Sequence, residues 1–241
     1  MAIEYQPPKH RQPFFGFIKG ILKIFMRKRR VVVLGDKLQN KCIYLGNHAN
    51  KMGPVSYEVY FPVYCVKWGA HQMLENYSER RKYLRDILYI QKNGMGRRKA
   101  AFKAFFEAYF SKFFYKGFKF LPTYPDARII KTVKKSVEVL CDDTAIMIFP
   151  EDSNSGYKDE MTGFFSGFVL LMEKYFRKCG EDVPVRPVYY HKKKRLIVVG
   201  ESIYLQNLCA KGLDRKEIAE YMKDKVNELY HRIESGEFDK R

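Results

Sequence analysis

The sequence has no uncharged apolar run near the ~20 residues needed to cross a bilayer, which excludes a simple spanning helix. It has no C-x-x-C pair. Its five cysteines, Cys42, Cys65, Cys141, Cys179 and Cys209, are odd in number and widely dispersed, which argues against a zinc framework and for buried thiols in a reducing compartment. Acidic residues are scarce, 27 against 45 Lys plus Arg, leaving a formal net charge of +18. Such a balance suits an anionic partner, either nucleic acid or an acidic membrane surface. No RNP, KH or zinc-finger pattern accompanies the charge, so nucleic acid is not the expected partner. Internal repeats are absent. The N-terminus does not read as a secretory signal, because Glu4 and a Pro-rich start precede an apolar stretch that Lys19 and Lys23 interrupt. The expectation is a protein attached peripherally to the cytoplasmic face of a membrane.

What is abundant is aromatic: 19 Phe and 18 Tyr in 241 residues, with apolar and basic residues so interleaved that mean hydropathy stays at −0.41. Two segments concentrate them. In the first, Phe14, Phe17, Ile18, Ile21, Leu22 and Phe25 recur at helical spacing and run into the basic cluster Lys28, Arg29 and Arg30. That layout fits an interfacial helix, whose lysines would meet anionic headgroups at about 1 kcal/mol each. In the second, Phe102, Phe105, Phe106, Tyr109, Phe110, Phe113 and Phe114 form a stripe opposite Lys103, Glu107 and Lys112. Spacing alone leaves core packing and membrane contact equally open for this stripe.

Residues 1–30 read as a tail plus the interfacial amphipathic helix, and 31–241 as one α/β domain. Short strands are expected at 31–34, 42–45, 61–66, 117–121, 145–149, 185–190 and 196–199. Helices are expected at 55–60, 78–88, 102–114, 126–140, 163–177 and 213–233, with Ser78 as a cap. Strands alternating with helices indicate a mixed β-sheet flanked by helices.

Two strand ends open into polar loops, where α/β proteins place their chemistry. One carries Asn47 and His48. The other runs from Phe149 and Pro150 through Glu151, Asp152, Ser153, Asn154 and Ser155 to Gly156. The first offers a general base and the second offers carboxylates and hydroxyls.

The order of these segments resembles the glycerolipid (lysophospholipid) acyltransferase family. That family carries N-H-x-x-x-x-D, G-x-I-F-I-D-R, F-P-E-G-T-R-S and a V-P-I-x-P-V-like strand. Here Asn47 and His48 match the first, residues 117–123 loosely match the second, Phe149, Pro150 and Glu151 match the third, and residues 183–188 match the fourth. The resemblance spans about residues 31–200. It implies an acyltransferase-like sandwich that docks on membranes and moves an acyl group from acyl-CoA or acyl carrier protein to a lipid hydroxyl, with no metal and no cofactor beyond the acyl donor.

In the family, the aspartate five residues after the histidine orients the imidazole; here that place is Gly53. Where the family has glycine after F-P-E, this chain has Asp152. The resemblance therefore implies His48 as base with Asp152 as a relocated partner, Glu58 being a weaker candidate. The family's two phosphate-holding arginines fall on Thr123 and Asn154, with Arg128 or Lys51 as substitutes. Asn47, Glu151, Ser153 and Ser155 complete the expected substrate-binding set, Glu151 chiefly as a holder of its loop. Two other readings stand beside this one: a non-catalytic lipid-binding relative of the same fold, and a basic nucleic-acid binder.

Overall fold

The computed structural model describes residues 13–49 and 52–239. The expected tail over residues 1–12, Lys51 and the side chain of Phe14 lie outside what is described. Seven strands form one mixed sheet in the order β1-β7-β6-β2-β5-β3-β4. They are β1 Arg30–Val33, β2 Ile43–Gly46, β3 Cys65–Ala70, β4 Leu121–Thr123, β5 Ala145–Ile148, β6 Val185–His191 and β7 Leu196–Val199. Strands β6, β2, β5, β3 and β4 are mutually parallel, while β7 runs antiparallel to β6 and pairs in parallel with β1. The central strands are buried on both faces, which is why β2 and β5 read as short continuous apolar runs.

The helices are α1 Pro13–Phe25, α2 Met52–Tyr60, α3 Tyr77–Tyr83, α4 Arg97–Phe118, α5 Ile129–Cys141, α6 Gly167–Cys179, α7 Leu205–Cys209 and α8 Arg215–Glu234. None among the described residues is long and apolar enough to cross a membrane. On one face of the sheet, Ile43, Leu45, Val66, Trp68, Ile146 and Ile148 pack against residues of α5, α6 and α8. Alternation along the strands sends Tyr44, Cys65 and Met147 to the other face, beneath Tyr57 of α2.

Several boundaries differ from the sequence reading. Strand β3 begins at Cys65 rather than 61, because Phe61 is held in the preceding turn by edge contacts with Tyr44 and Tyr57. Asn76, not Ser78, caps α3, its side-chain oxygen accepting the Glu79 amide at 3.1 Å. Helix α3 continues as a π-helical stretch, Leu84–Lys92, a rare geometry that concentrates at functional sites. The strand expected at 117–121 is mostly helix: α4 runs through Gly117, ends on Lys119 in the left-handed conformation (φ 43°), and β4 follows.

Helix α4 turns its aromatic stripe outward. Phe102, Tyr109 and Phe113 are 70, 72 and 66% exposed, while Ala100, Ala104, Ala108 and Ser111 form its buried side against the π-helical stretch. Lys103 and Glu107, read from the sequence as opposite the stripe, approach that stretch. The Lys103 ammonium lies 4.8 Å from the Tyr89 ring centroid, and Glu107 accepts the Tyr89 hydroxyl.

Helix α1 is anchored by three contacts. Phe15 is buried edge-on against Phe118, and a Cβ on Gly117 would overlap the Phe15 ring, so glycine permits the close approach of α1 and α4. Lys19 joins Lys67 in pairing with the buried Glu58 of α2. Burial alone would raise the Glu58 pKa, but the two ammonium groups outweigh it and hold it below the usual value. At the end of α1 the Tyr60 hydroxyl donates to the Met26 carbonyl (2.7 Å). Outward from these contacts Phe17, Ile21, Ile24 and Phe25 remain exposed.

Arg186 on β6 is fully buried, and among the described residues no carboxylate forms a salt bridge with it. Its guanidinium donates to the carbonyls of Gly200 (2.7 Å), Leu34 (2.6 Å), Asp36 (3.0 Å) and Lys37 (3.2 Å). It thereby ties the segment after β1 to β6 and β7. The cysteines correct a further expectation: Cys42 and Cys65 are buried, but Cys141, Cys179 and Cys209 are exposed, with the Cys141 and Cys179 sulfurs 3.5 Å apart.

Candidate active site

His48 follows β2 on the α2 side of the sheet and lines a cavity of about 460 Å³. The floor is β3, through Lys67 and Gly69, with Phe120 beside it. Pro54 and Val55 of α2, Leu22 of α1 and Phe110, Phe114 and Phe118 of α4 form walls and roof. Most of the lining is aliphatic or aromatic; His48, Lys67, Glu107 and Ser111 are its polar exceptions. Phe110 and Phe114 face both the cavity and the surroundings, so the mouth lies on the aromatic side of the molecule.

The backbone of His48 is fixed from two sides. Asn47 is buried: its Oδ1 accepts the Tyr57 hydroxyl (2.9 Å) and the Tyr190 amide (2.8 Å), and its Nδ2 donates to the Tyr190 carbonyl (3.1 Å). These bonds engage Oδ1 twice and one of the two Nδ2 hydrogens, so Asn47 locks the end of β2 to β6 and holds the loop that follows. The His48 amide in turn donates to Glu151 Oε2 (3.1 Å). Burial pushes the Glu151 carboxyl up, opposed by the His48 and Lys158 amides and the Lys92 charge. The imidazole stacks on the Tyr157 ring, centroids 4.9 Å apart at 18°, and meets Phe149 edge-on at 5.4 Å.

The contacts described for Asp152 lie within its own loop and not at the His48 ring of the dyad read from the sequence. Its Oδ1 accepts the Asn154 amide (3.0 Å) and its own amide donates to the Gly163 carbonyl (2.8 Å), so it shapes an Asx turn. Gly53, the second residue of α2, stands where the resemblance places an aspartate. A Cβ there would lie 2.7 Å from the His48 carbonyl carbon and 3.1 Å from the Asn47 carbonyl oxygen, closer still to the His48 oxygen. Backbone occupies the space a side chain would need. Gly53→Ala is therefore expected to lower the denaturation midpoint by the equivalent of ~1–3 kcal/mol, the usual cost of overpacking. Gly53→Asp should likewise destabilise the loop without improving function, whereas a midpoint equal to wild type would show that the loop yields.

The remaining expected ligands are scattered. Ser153 is buried and accepts the Lys92 ammonium (2.7 Å), whose pKa burial lowers. Asn154 and Ser155 are exposed, and the Asn154 carbonyl accepts Gln91 Nε2 (3.3 Å). Thr123 ends β4, three strands from β2 and so about 14 Å across the sheet. Its hydroxyl donates to the Gly69 carbonyl (3.0 Å), and it does not line the cavity. Arg128 is exposed, paired with Asp126 and laid over Tyr124, also away from the lining. The structure thus gathers His48, Glu151 and Ser153 and leaves Thr123 and Arg128 apart. Tyr157 and Lys92, which the sequence reading passed over, belong to the gathered group.

Comparison with known proteins adds an outline only. No family model matches the chain, and no curated protein matches it. Among solved structures, the chain is similar to the crystal structure of the 1-acyl-sn-glycerophosphate (LPA) acyltransferase PlsC from Thermotoga maritima. The identity is 15%, covering 92% of this chain and 89% of that chain, with a TM-score of 0.48. At that identity and score the likeness carries no functional argument. The functional reading rests on the cavity and its histidine.

Proposed function

We propose that this chain is a peripheral membrane acyltransferase that moves a fatty acyl group from a thioester to a hydroxyl of a lipid acceptor, with His48 as general base. One observation carries the reading: a strand-end histidine opens on a largely apolar cavity whose roofing helices turn their aromatic faces outward. The cavity offers an acyl chain burial away from water at ~25 cal/mol per Å². A neutral imidazole takes the acceptor proton as the oxygen attacks the thioester carbonyl. The tetrahedral intermediate then collapses, breaking the C–S bond, and the imidazolium returns the proton to the leaving sulfur. The donor is acyl-CoA or acyl carrier protein, and no further cofactor is required by this chemistry. The aromatic faces of α1 and α4, with lysines and arginines beside them, suit an anionic bilayer surface on its cytoplasmic side.

The test is thiol release from acyl-CoA and acyl carrier protein donors against a panel of lysolipid and other hydroxyl acceptors. Acceptor-dependent turnover is expected, and its absence across the panel would leave the second reading, a lipid-binding protein without catalysis. That reading draws on the Asx turn at Asp152 and the filled space at Gly53. Membrane docking is tested apart from chemistry. Serine at Phe17, Ile24 and Phe25, none of which lines the cavity, should weaken flotation with anionic vesicles on the order of tenfold per residue. Unchanged flotation would remove α1 from the docking surface. A nucleic-acid gel shift in matched salt, expected to be negative, separates lipid from nucleic-acid binding.

A further inference from the structure

The loop that carries Glu151 also carries Tyr157, and this loop is seated on the end of the π-helical stretch. Gln91 Nε2 donates to the Asn154 carbonyl (3.3 Å), and Lys92 Nζ donates to the Ser153 hydroxyl (2.7 Å). At Gly156, held at φ +99°, a Cβ would lie 3.3 Å from the Lys92 carbonyl oxygen. The Lys92 ammonium stands 5.5 Å from the Tyr157 ring centroid. On its other contacts the Tyr157 ring packs against the cluster of Leu88 and Tyr89. The ring is therefore fixed by an element remote in sequence, and it is this fixed ring that stacks on His48, while Phe149 meets the imidazole edge-on.

We propose that Tyr157 is a positioning residue of His48: its ring face sets the plane in which the imidazole works. An imidazole acting as base must aim one nitrogen at the acceptor hydroxyl within roughly 10–20°. A parallel ring on its face and an aromatic edge at its side restrict rotation about the Cβ–Cγ bond. The same face attracts the imidazolium formed as the proton is taken, through the ring quadrupole. The geometry assigns this to the ring and not to the hydroxyl, which burial lifts well above the usual tyrosine pKa and keeps protonated. As a statement about catalysis it rests on the acyl-transfer reading; as a statement about His48 orientation it does not.

The experiment compares Tyr157→Phe and Tyr157→Leu in the full chain by two readouts. In steady-state acyl transfer, the Phe variant should keep kcat near wild type. The Leu variant, which preserves an apolar cavity wall, should lose kcat on the order of 10²-fold with KM for the thioester little changed. In NMR without substrate, the His48 ring protons, assigned by their loss in His48→Gln, should be displaced upfield by the stacked ring in wild type and Phe. They should return downfield in Leu. A Phe variant as impaired as Leu would transfer the role to the hydroxyl and overturn the proposal. So would a Leu variant with full kcat, or wild-type ring protons lacking the displacement; this last outcome can be read even if the Leu variant does not fold. Absence of turnover in wild type would sink the acyl-transfer reading alone, since the NMR arm still decides the stacking.

Discussion

Alanine in place of His48 should lower acceptor-dependent thiol release by ~10²–10⁴-fold, the range attributed to a positioned general base. Far-ultraviolet circular dichroism and vesicle flotation should be unchanged. His48 is half-buried at the cavity wall, and truncation spares the loop's bond to Glu151, because the His48 amide and not the ring donates to it. The separation of these readouts matters. Loss of turnover with retained fold and docking places the defect at the proton-transfer step. Retained turnover would show that the imidazole is a wall of the cavity and nothing more, and the base would have to be sought elsewhere.

Arg186→Met should cost the fold about 3–5 kcal/mol. Methionine keeps much of the volume but removes every donor, so the carbonyls of Leu34, Asp36, Lys37 and Gly200 lose a charged partner. A buried acceptor left unpaired costs ~1–3 kcal/mol, partly recovered where water enters. Against a total stability of ~5–15 kcal/mol this is a large fraction. Roughly 10 °C should be lost from the thermal midpoint of a chain this size. A shift within ~0.5 kcal/mol, as for an ordinary surface substitution, would mean that the clamp contributes little. The same variant leaves the cavity lining untouched, so kcat measured well below the midpoint should hold.

The α/β alternation was legible because β2, β5 and β7 are short apolar runs with turn residues beside them. Strand β3 was misplaced because it contains Lys67 and Gly69. One of these is tolerated in a buried strand by its pairing with Glu58, and the other is covered by Phe120. Neither compensation can be read locally. Helix α4 shows a different limit. Periodicity identified an amphipathic helix but not which side faces the body; Ala100, Ala104 and Ala108, spaced by four, were the overlooked sign of a close-packed inner face.

At the site, both loops were visible as polar breaks after apolar strands. The Asx turn at Asp152 was legible too, since an aspartate two residues before Asn154 in a Ser/Asn/Gly loop readily satisfies a backbone amide at hand. Tyr157 and Lys92 were invisible for another reason. Each acquires its role only when the π-helical stretch and the Glu151 loop meet in space, 61 residues apart for Lys92 and Ser153.

The close approach at Gly53 also constrains which sequences are neighbours of this one. A chain with an aspartate at that place needs the start of α2 set back from the His48 carbonyl, and moving α2 moves the loop that presents the histidine. The two changes are coupled: a side chain at 53 overlaps the present backbone, so substitution and backbone shift have to come together. Single-residue steps from this loop to the N-H-x-x-x-x-D pattern therefore pass through a disrupted intermediate. In that sense position 53 acts as a ratchet, holding the chain to whatever chemistry a histidine without that aspartate can perform.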